Sequence, residues 1–89
     1  MHFIWDPNKA IANLRKHCIA FEEAVTVFWD PLALMVTDDI HSDRAILIGE
    51  SIKQRVFLVV FIEIDGHDIR IISARRATAH ERKQYEEGS

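Results

Sequence analysis

Ile69-Arg70-Ile71-Ile72-Ser73-Ala74-Arg75-Arg76-Ala77-Thr78-Ala79-His80-Glu81-Arg82 carries an apolar strand straight into paired arginines and then into a capped helix. Ile69, Ile71 and Ile72 are β-branched strand formers. A period of two places Ile69, Ile71, Ser73 and Arg75 on one face and Arg70, Ile72, Ala74 and Arg76 on the other, so the arginines leave the strand end on opposite sides. Thr78, followed three residues later by Glu81, reads as a capping box that starts a helix.

Working outward from this stretch, Asp65-Gly66 is a strong hairpin signal, and it predicts that the strand His67 to Arg75 lies antiparallel beside Val56 to Ile64. Val56 to Ile64 is apolar on both faces, the mark of a central strand covered on each side. Ala45 to Ile52 is a second apolar run, broken by Gly49, and Lys53-Gln54-Arg55 supplies the turn. Leu32 to Thr37 reads as a strand, with Asp38 to Arg44 as a solvated polar loop.

At the front, Met1 to Trp5 alternates as a short strand with Phe3 and Trp5 on one face. Asp6-Pro7 gives an N-cap and a proline at the first helical position. Within Pro7 to His17, Ala10, Ile11, Leu14 and His17 recur at helical spacing, and Phe21 to Trp29 repeats the pattern with Ala24, Val25 and Phe28. Asp30-Pro31 ends that helix. Two helices followed by three hairpins and a last helix predict a mainly antiparallel α+β domain.

The 89 residues are read as one domain, 1–89, which buries roughly 60 to 65% of its unfolded surface. With 48% hydrophobic and 28% charged residues the chain is globular rather than disordered. Its apolar runs are too short for a bilayer, no basic segment precedes an apolar one, and the lone Cys18 closes no internal disulfide. A soluble intracellular protein is the expectation. A net charge of −3 argues against indiscriminate nucleic-acid binding. The distribution qualifies this, since Arg70, Arg75, Arg76, His80, Arg82 and Lys83 crowd the end and set a basic patch on an acidic body. The five histidines and Cys18 show no zinc spacing, the three glycines form no phosphate loop, and Ser73 lacks a nucleophile-elbow context.

Several stretches together resemble the BrnT family, the toxin half of BrnT/BrnA type II toxin-antitoxin pairs. They are Trp5-Asp6-Pro7-Asn8-Lys9-Ala10, Asn13-Leu14-Arg15-Lys16-His17, Phe21-Glu22-Glu23-Ala24, Phe28-Trp29-Asp30-Pro31, and Arg70 to Thr78 with Glu81-Arg82 and Tyr85. The resemblance implies a RelE-like α+β fold with an N-terminal helical pair and a C-terminal helix. It also implies metal-independent RNA cleavage that inhibits translation and needs no cofactor. The implied partner is a cytoplasmic BrnA-like antitoxin with a ribbon-helix-helix DNA-binding domain, held in a hetero-oligomer. One position departs from the family, which usually has glycine where this chain has Cys18; a left-handed backbone there would strain a cysteine.

Attack of a ribose 2′-OH needs a base, positive charge for the phosphorane oxygens and an acid for the leaving oxygen. Arg75 and Arg76 offer fixed donor forks, while His17 and Lys16 are candidates for proton transfer. These four are the expected catalytic residues, and Arg70, His80, Arg82 and Tyr85 the expected RNA contacts. Each has a plainer reading: the arginines as ion-pair partners of Glu63, Asp68 or a partner chain, His17 as a helix end, Lys16 and His80 as solvated, Glu81 as a cap and Tyr85 as a packing residue. Two functional alternatives stand beside the nuclease. One is an inactive relative serving as an antitoxin-bound corepressor; the other is a structural homodimer formed through an exposed part of Val56 to Ile64.

Overall fold

The computed structural model describes residues 1–88. Strands β1 (His2–Ile4), β2 (Leu34–Thr37), β3 (Ala45–Glu50), β4 (Val56–Ile64) and β5 (Asp68–Arg76) form one sheet in the order β1-β5-β4-β3-β2. Helices α1 (Pro7–His17) and α2 (Phe21–Val25) precede β2, and α3 (Ala79–Glu87) follows β5. β2 to β5 are antiparallel neighbours, as the hairpin signals predict, and β1 adds a parallel pair along Asp68, Ile69 and Arg70. No helix among the described residues is long and apolar enough to cross a membrane.

Local chemistry sets the element ends. Asp6 caps α1 by accepting from the Asn8 amide at 2.8 Å, with Pro7 in the first turn. At the β4–β5 turn Asp65 and Gly66 both take positive φ, 53° and 71°, as a tight hairpin with matching twist requires. Thr78 and Glu81 make the capping box in both directions.

One side of the sheet carries the main core. Phe57, Val59, Phe61, Ile69, Ile71 and Ala74 meet Ile19, Phe21, Ala24 and Val27 there, each large side chain contributing about 1.5–3 kcal/mol. Phe3 packs on Phe28, which meets Phe61 edge-on, both at 5.0 Å between ring centres; Trp5 meets Phe21 at 5.8 Å. The two N-terminal aromatics thus do share a core-facing side. The opposite side holds a smaller cluster of Ile48, Val56 and Leu58, against which Tyr85 of α3 packs.

Four local expectations change. A register shift pairs Val60 with Ser73 but Phe61 with Ile71, leaving Ile72 as an extra residue. This bulge reverses the alternation, so Ala74 rather than Ser73 joins Ile69 and Ile71 in the core. Arg76 then lies on the side of Phe57, and Arg75 pairs across with Leu58 on the α3 side. In α1 the buried residue is Asn13, while Ile11 and Leu14 are half exposed, because polar bonds rather than apolar area orient this helix. Phe21 to Trp29 is not one helix: after Val25 it tightens into a 3-10 turn over Thr26–Trp29, where the Thr26 hydroxyl donates to the Glu23 carbonyl at 2.6 Å. Gly49 does not interrupt β3. A Cβ there would stand 2.9 Å from Ala33 Cβ and Val27 Cγ1, so the glycine lets the 3-10 turn approach the sheet.

Cys18 ends α1 at φ 58°, ψ 33°, with its amide donating to the Leu14 carbonyl at 2.9 Å. This is the left-handed cap that glycine serves best, and the exposed thiol supplies no packing in return. Cys18→Gly should therefore raise unfolding stability in urea by about 1 kcal/mol, and Cys18→Ala should not. Equal stabilities of the two variants would contradict strain at this position.

Candidate active site

β5 is covered by β1 only as far as Arg70. Beyond that point its edge meets α1 through one side chain. The Asn13 carboxamide donates to the carbonyls of Ala74, at 2.9 Å, and Ile19, at 3.0 Å, and its oxygen accepts the Ala74 amide at 3.0 Å. Asn13 acts there as a one-residue strand. It fastens the last turn of α1, bearing Lys16 and His17, to the strand that ends in Arg75-Arg76.

Two recesses flank this junction. Lys16 and His17 line the first, of about 220 Å³, with Lys9, Ala12, Asn13, Ile72 and Ser73. Arg76 and Arg82 line the second, of about 130 Å³, with Gln54, Arg55, Val56 and Ala77. From Ser73 to Arg76 the strand advances three residues, roughly 10 Å. The four residues expected to be catalytic are thus divided: Lys16 and His17 sit together, Arg76 sits with Arg82, and Arg75 belongs to neither recess.

Arg75 is held by Glu81, Nη1 to Oε1 at 2.8 Å and Nη2 to Oε2 at 2.9 Å, and Nη1 also donates to the Arg76 carbonyl at 3.2 Å. Its partner is neither Glu63 nor Asp68 but the cap of α3, so Glu81 serves two structures at once. The Arg75 guanidinium, aided by the Thr78 cap and opposed by burial, holds the Glu81 carboxyl down to about 2. Arg76 forms no ion pair among the described residues, and Arg82 has a loose contact with Glu86 at 3.4 Å.

The remaining expected RNA contacts lie elsewhere. Arg70 is exposed mid-strand between Ile62 and Ile4, and His80 is exposed in the first turn of α3. Tyr85 donates its hydroxyl to Asp30 Oδ2 at 2.6 Å; burial, then that carboxylate, push its phenol up. Asp30 is itself held below the usual range: burial raises it, but the Tyr85 hydroxyl and the amides of Glu50 and Leu32 outweigh that.

Sequence reasoning missed Asn13, and it missed the buried Glu23. Arg55 grips the Glu23 carboxylate through Nη2 and Nε, Nε at 3.0 Å, and the Ser51 hydroxyl donates to it at 2.6 Å. The Arg55 bond holds this carboxyl low against the contrary effect of burial. Arg55 also stands 5.0 Å over the Phe57 ring, so its fork is fixed beside Arg76. The available signal was a polar residue inside an apolar helical face, at Asn13 between Ala10 and His17 and at Glu23 between Phe21 and Ala24. No group of three or more His, Cys, Asp or Glu side chains suited to a metal ion occurs among the described residues.

A family model described as "Ribonuclease toxin, BrnT, of type II toxin-antitoxin system" matches residues 5–81. The chain belongs to the BrnT family. A comparison with curated proteins gave no match. Among solved structures, the crystal structure of the Brucella abortus ribonuclease toxin BrnT superposes with a TM-score of 0.73 at 26% identity, over 88% of this chain and 97% of that one. The five-stranded, mostly antiparallel sheet with its helices is therefore a BrnT fold, and the matched region spans the Asn13 junction and both arginines of the β5 end.

Two measurements follow from these bonds. Asn13→Ala leaves the Ala74 amide and two carbonyls without partners, and chemical unfolding should show a loss of about 3 kcal/mol. Because the folded Glu81 carboxyl lies below its unfolded value, its contribution to stability is complete above about 4.5 and disappears as pH falls from there toward 2. The melting temperature of Glu81→Gln should therefore depend less on pH across that window than that of the unaltered chain.

Proposed function

We propose that this chain is the toxin of a type II toxin-antitoxin pair and cleaves RNA at the recess of Arg55, Arg76 and Arg82, inhibiting translation in the cytoplasm. The observation that carries the reading is that three arginines, Arg55, Arg76 and Arg82, line one hollow of about 130 Å³ that has no Asp or Glu in its lining. A phosphodiester is the complementary ligand, since planar forks meet its oxygens in pairs. Family membership supports RNA as the source of that phosphate.

In this reading Arg76 and Arg82 donate to the non-bridging phosphate oxygens, and Arg55, fixed by Glu23, supports them with a charge that needs no reorganisation. RNA laid along the β5 edge spans both recesses: Lys16 and His17 hold the adjoining nucleotide, roughly 10 Å along the strand, and the 2′-OH beside the Arg76-bound phosphate gives its proton to water. The 2′ oxygen bonds to phosphorus and the bond to the 5′ oxygen breaks. A 2′,3′-cyclic phosphate results, and the leaving oxygen takes a proton from water. Three cationic side chains supply the charge stabilisation, so cleavage proceeds without a metal. Arg75 contributes by position, tying the α3 cap to the backbone of Arg76. The neutralising partner is a BrnA-like antitoxin with a ribbon-helix-helix domain, and the sheet with its flanking helices is in keeping with a RelE-like ancestry.

The Arg75–Glu81 pair favours a second reading, a corepressor that binds the antitoxin and cuts nothing, because it takes one arginine out of play. Incubation of single-stranded RNA with the purified chain in EDTA separates the two. Cleavage is expected, and Arg76→Ala should reduce its rate by about 10² to 10³ with the fold retained. Wild-type rates in the Arg76→Ala, Arg82→Ala double variant would refute the assignment.

A further inference from the structure

Trp29, Leu32 and Ile52 stand 65%, 72% and 69% exposed. They occupy the end of the 3-10 turn, the turn after Pro31 and the β3–β4 turn, all positions where a polar residue would be at no disadvantage. Scattered singly, they would need no explanation. The Asp30 carboxylate and the Thr26 hydroxyl gather them. Asp30 Oδ1 accepts the Leu32 amide at 2.9 Å, and Oδ2 accepts the Glu50 amide at 2.8 Å and the Tyr85 hydroxyl at 2.6 Å. The Ile52 amide donates to Thr26 Oγ1 at 3.0 Å. Three turns and the C-terminal half of α3 are thereby fixed around Asp30, presenting a preorganised apolar surface.

Two hollows shape that surface. One of about 230 Å³ includes Trp29, Glu50 and Ile52; the other, of about 350 Å³, includes Leu32, Tyr85, Glu86 and Glu87. Pro31 lines both, and no lysine, arginine or histidine lines either. Glu50, Glu86 and Glu87 are exposed, so the apolar centre has an acidic rim. This arrangement repels a nucleic-acid backbone. It complements a segment whose apolar side chains alternate with lysine or arginine, with the tryptophan as anchor.

We propose that this face is the docking surface for a basic, apolar segment of a partner protein, the antitoxin of the pair. The proposal rests on the reading of the chain as a toxin with such a partner, and it assigns that partner a place away from the Arg76 recess.

The test is calorimetric titration of the purified chain with the antitoxin of its pair, alongside RNA cleavage and solution mass. Trp29→Ser with Ile52→Ser is expected to raise Kd by about thirtyfold or more. Glu50→Lys with Glu87→Lys is expected to weaken binding and flatten its salt dependence, while RNA cleavage by the free chain is unchanged in both pairs. A Kd within about twofold of the unaltered value in both pairs overturns the surface. It is equally overturned if the serine pair instead impairs RNA cleavage, which would make the face an RNA platform, or converts a dimer of the free chain to monomer with Kd unmoved. Failure of the unaltered chain to bind the antitoxin removes the pairing and this surface together. Failure to cleave RNA while binding tightly removes only the nuclease assignment.

Discussion

The side-chain amide of Asn13 stands where a strand is missing. β1 ends opposite Arg70, and from Ile71 onward β5 would present a bare edge to solvent. Asn13 satisfies both backbone groups of Ala74 and, through the Ile19 carbonyl, ties in the turn that follows the Cys18 cap. A buried amide with all these bonds made is inexpensive, whereas each one left open costs about 1–3 kcal/mol. The position of α1 against the sheet therefore depends on a polar contact more than on apolar area, which explains why Ile11 and Leu14 remain half exposed.

The same logic sorts the arginines. Arg75 is engaged by Glu81 and Arg55 by Glu23, each through a two-pronged contact that fixes the fork. Arg76 follows Arg75 in the chain, shares a recess with Arg55 and forms no ion pair among the described residues. Arg55, held by Glu23, and Arg76, left available, make with Arg82 a preorganised anion site at the strand end, because the held cation keeps its wall still while the available one binds; Arg75 stays outside it. In a chain of net charge −3, Glu50, Glu86 and Glu87 line hollows around Asp30 rather than this recess.

Much of this was legible before any coordinates. The hairpin at Asp65-Gly66, the capping box at Thr78 and Glu81 and the Asp6-Pro7 start are local signals, decided by residues a few positions apart, and they read correctly. What was illegible depended on distant partners. The bulge at Ile72 arises from β4 pairing and flips the alternation that a period of two predicts. The burial of Asn13 and Glu23 depends on Ala74, Ser51 and Arg55, 28 to 61 residues away. Gly49 looks like a break and is instead a close approach, visible only once Val27 and Ala33 are placed over it. The family resemblance supplied what periodicity does not, and the match over residues 5–81 bears it out.

The central claim is that RNA meets the molecule along the β5 end, at Arg76 and Arg82, with Arg75 held back by Glu81. The most direct measurement is a titration with an uncleavable 2′-O-methyl RNA oligomer, followed through the arginine Nε–H resonances in ¹H–¹⁵N spectra. The account predicts that the Arg76 and Arg82 signals shift in a saturable, salt-sensitive manner while that of Arg75 stays in place. Saturable shifts confined to Arg15, Arg44 and Arg70, with Arg76 and Arg82 unmoved, would contradict it.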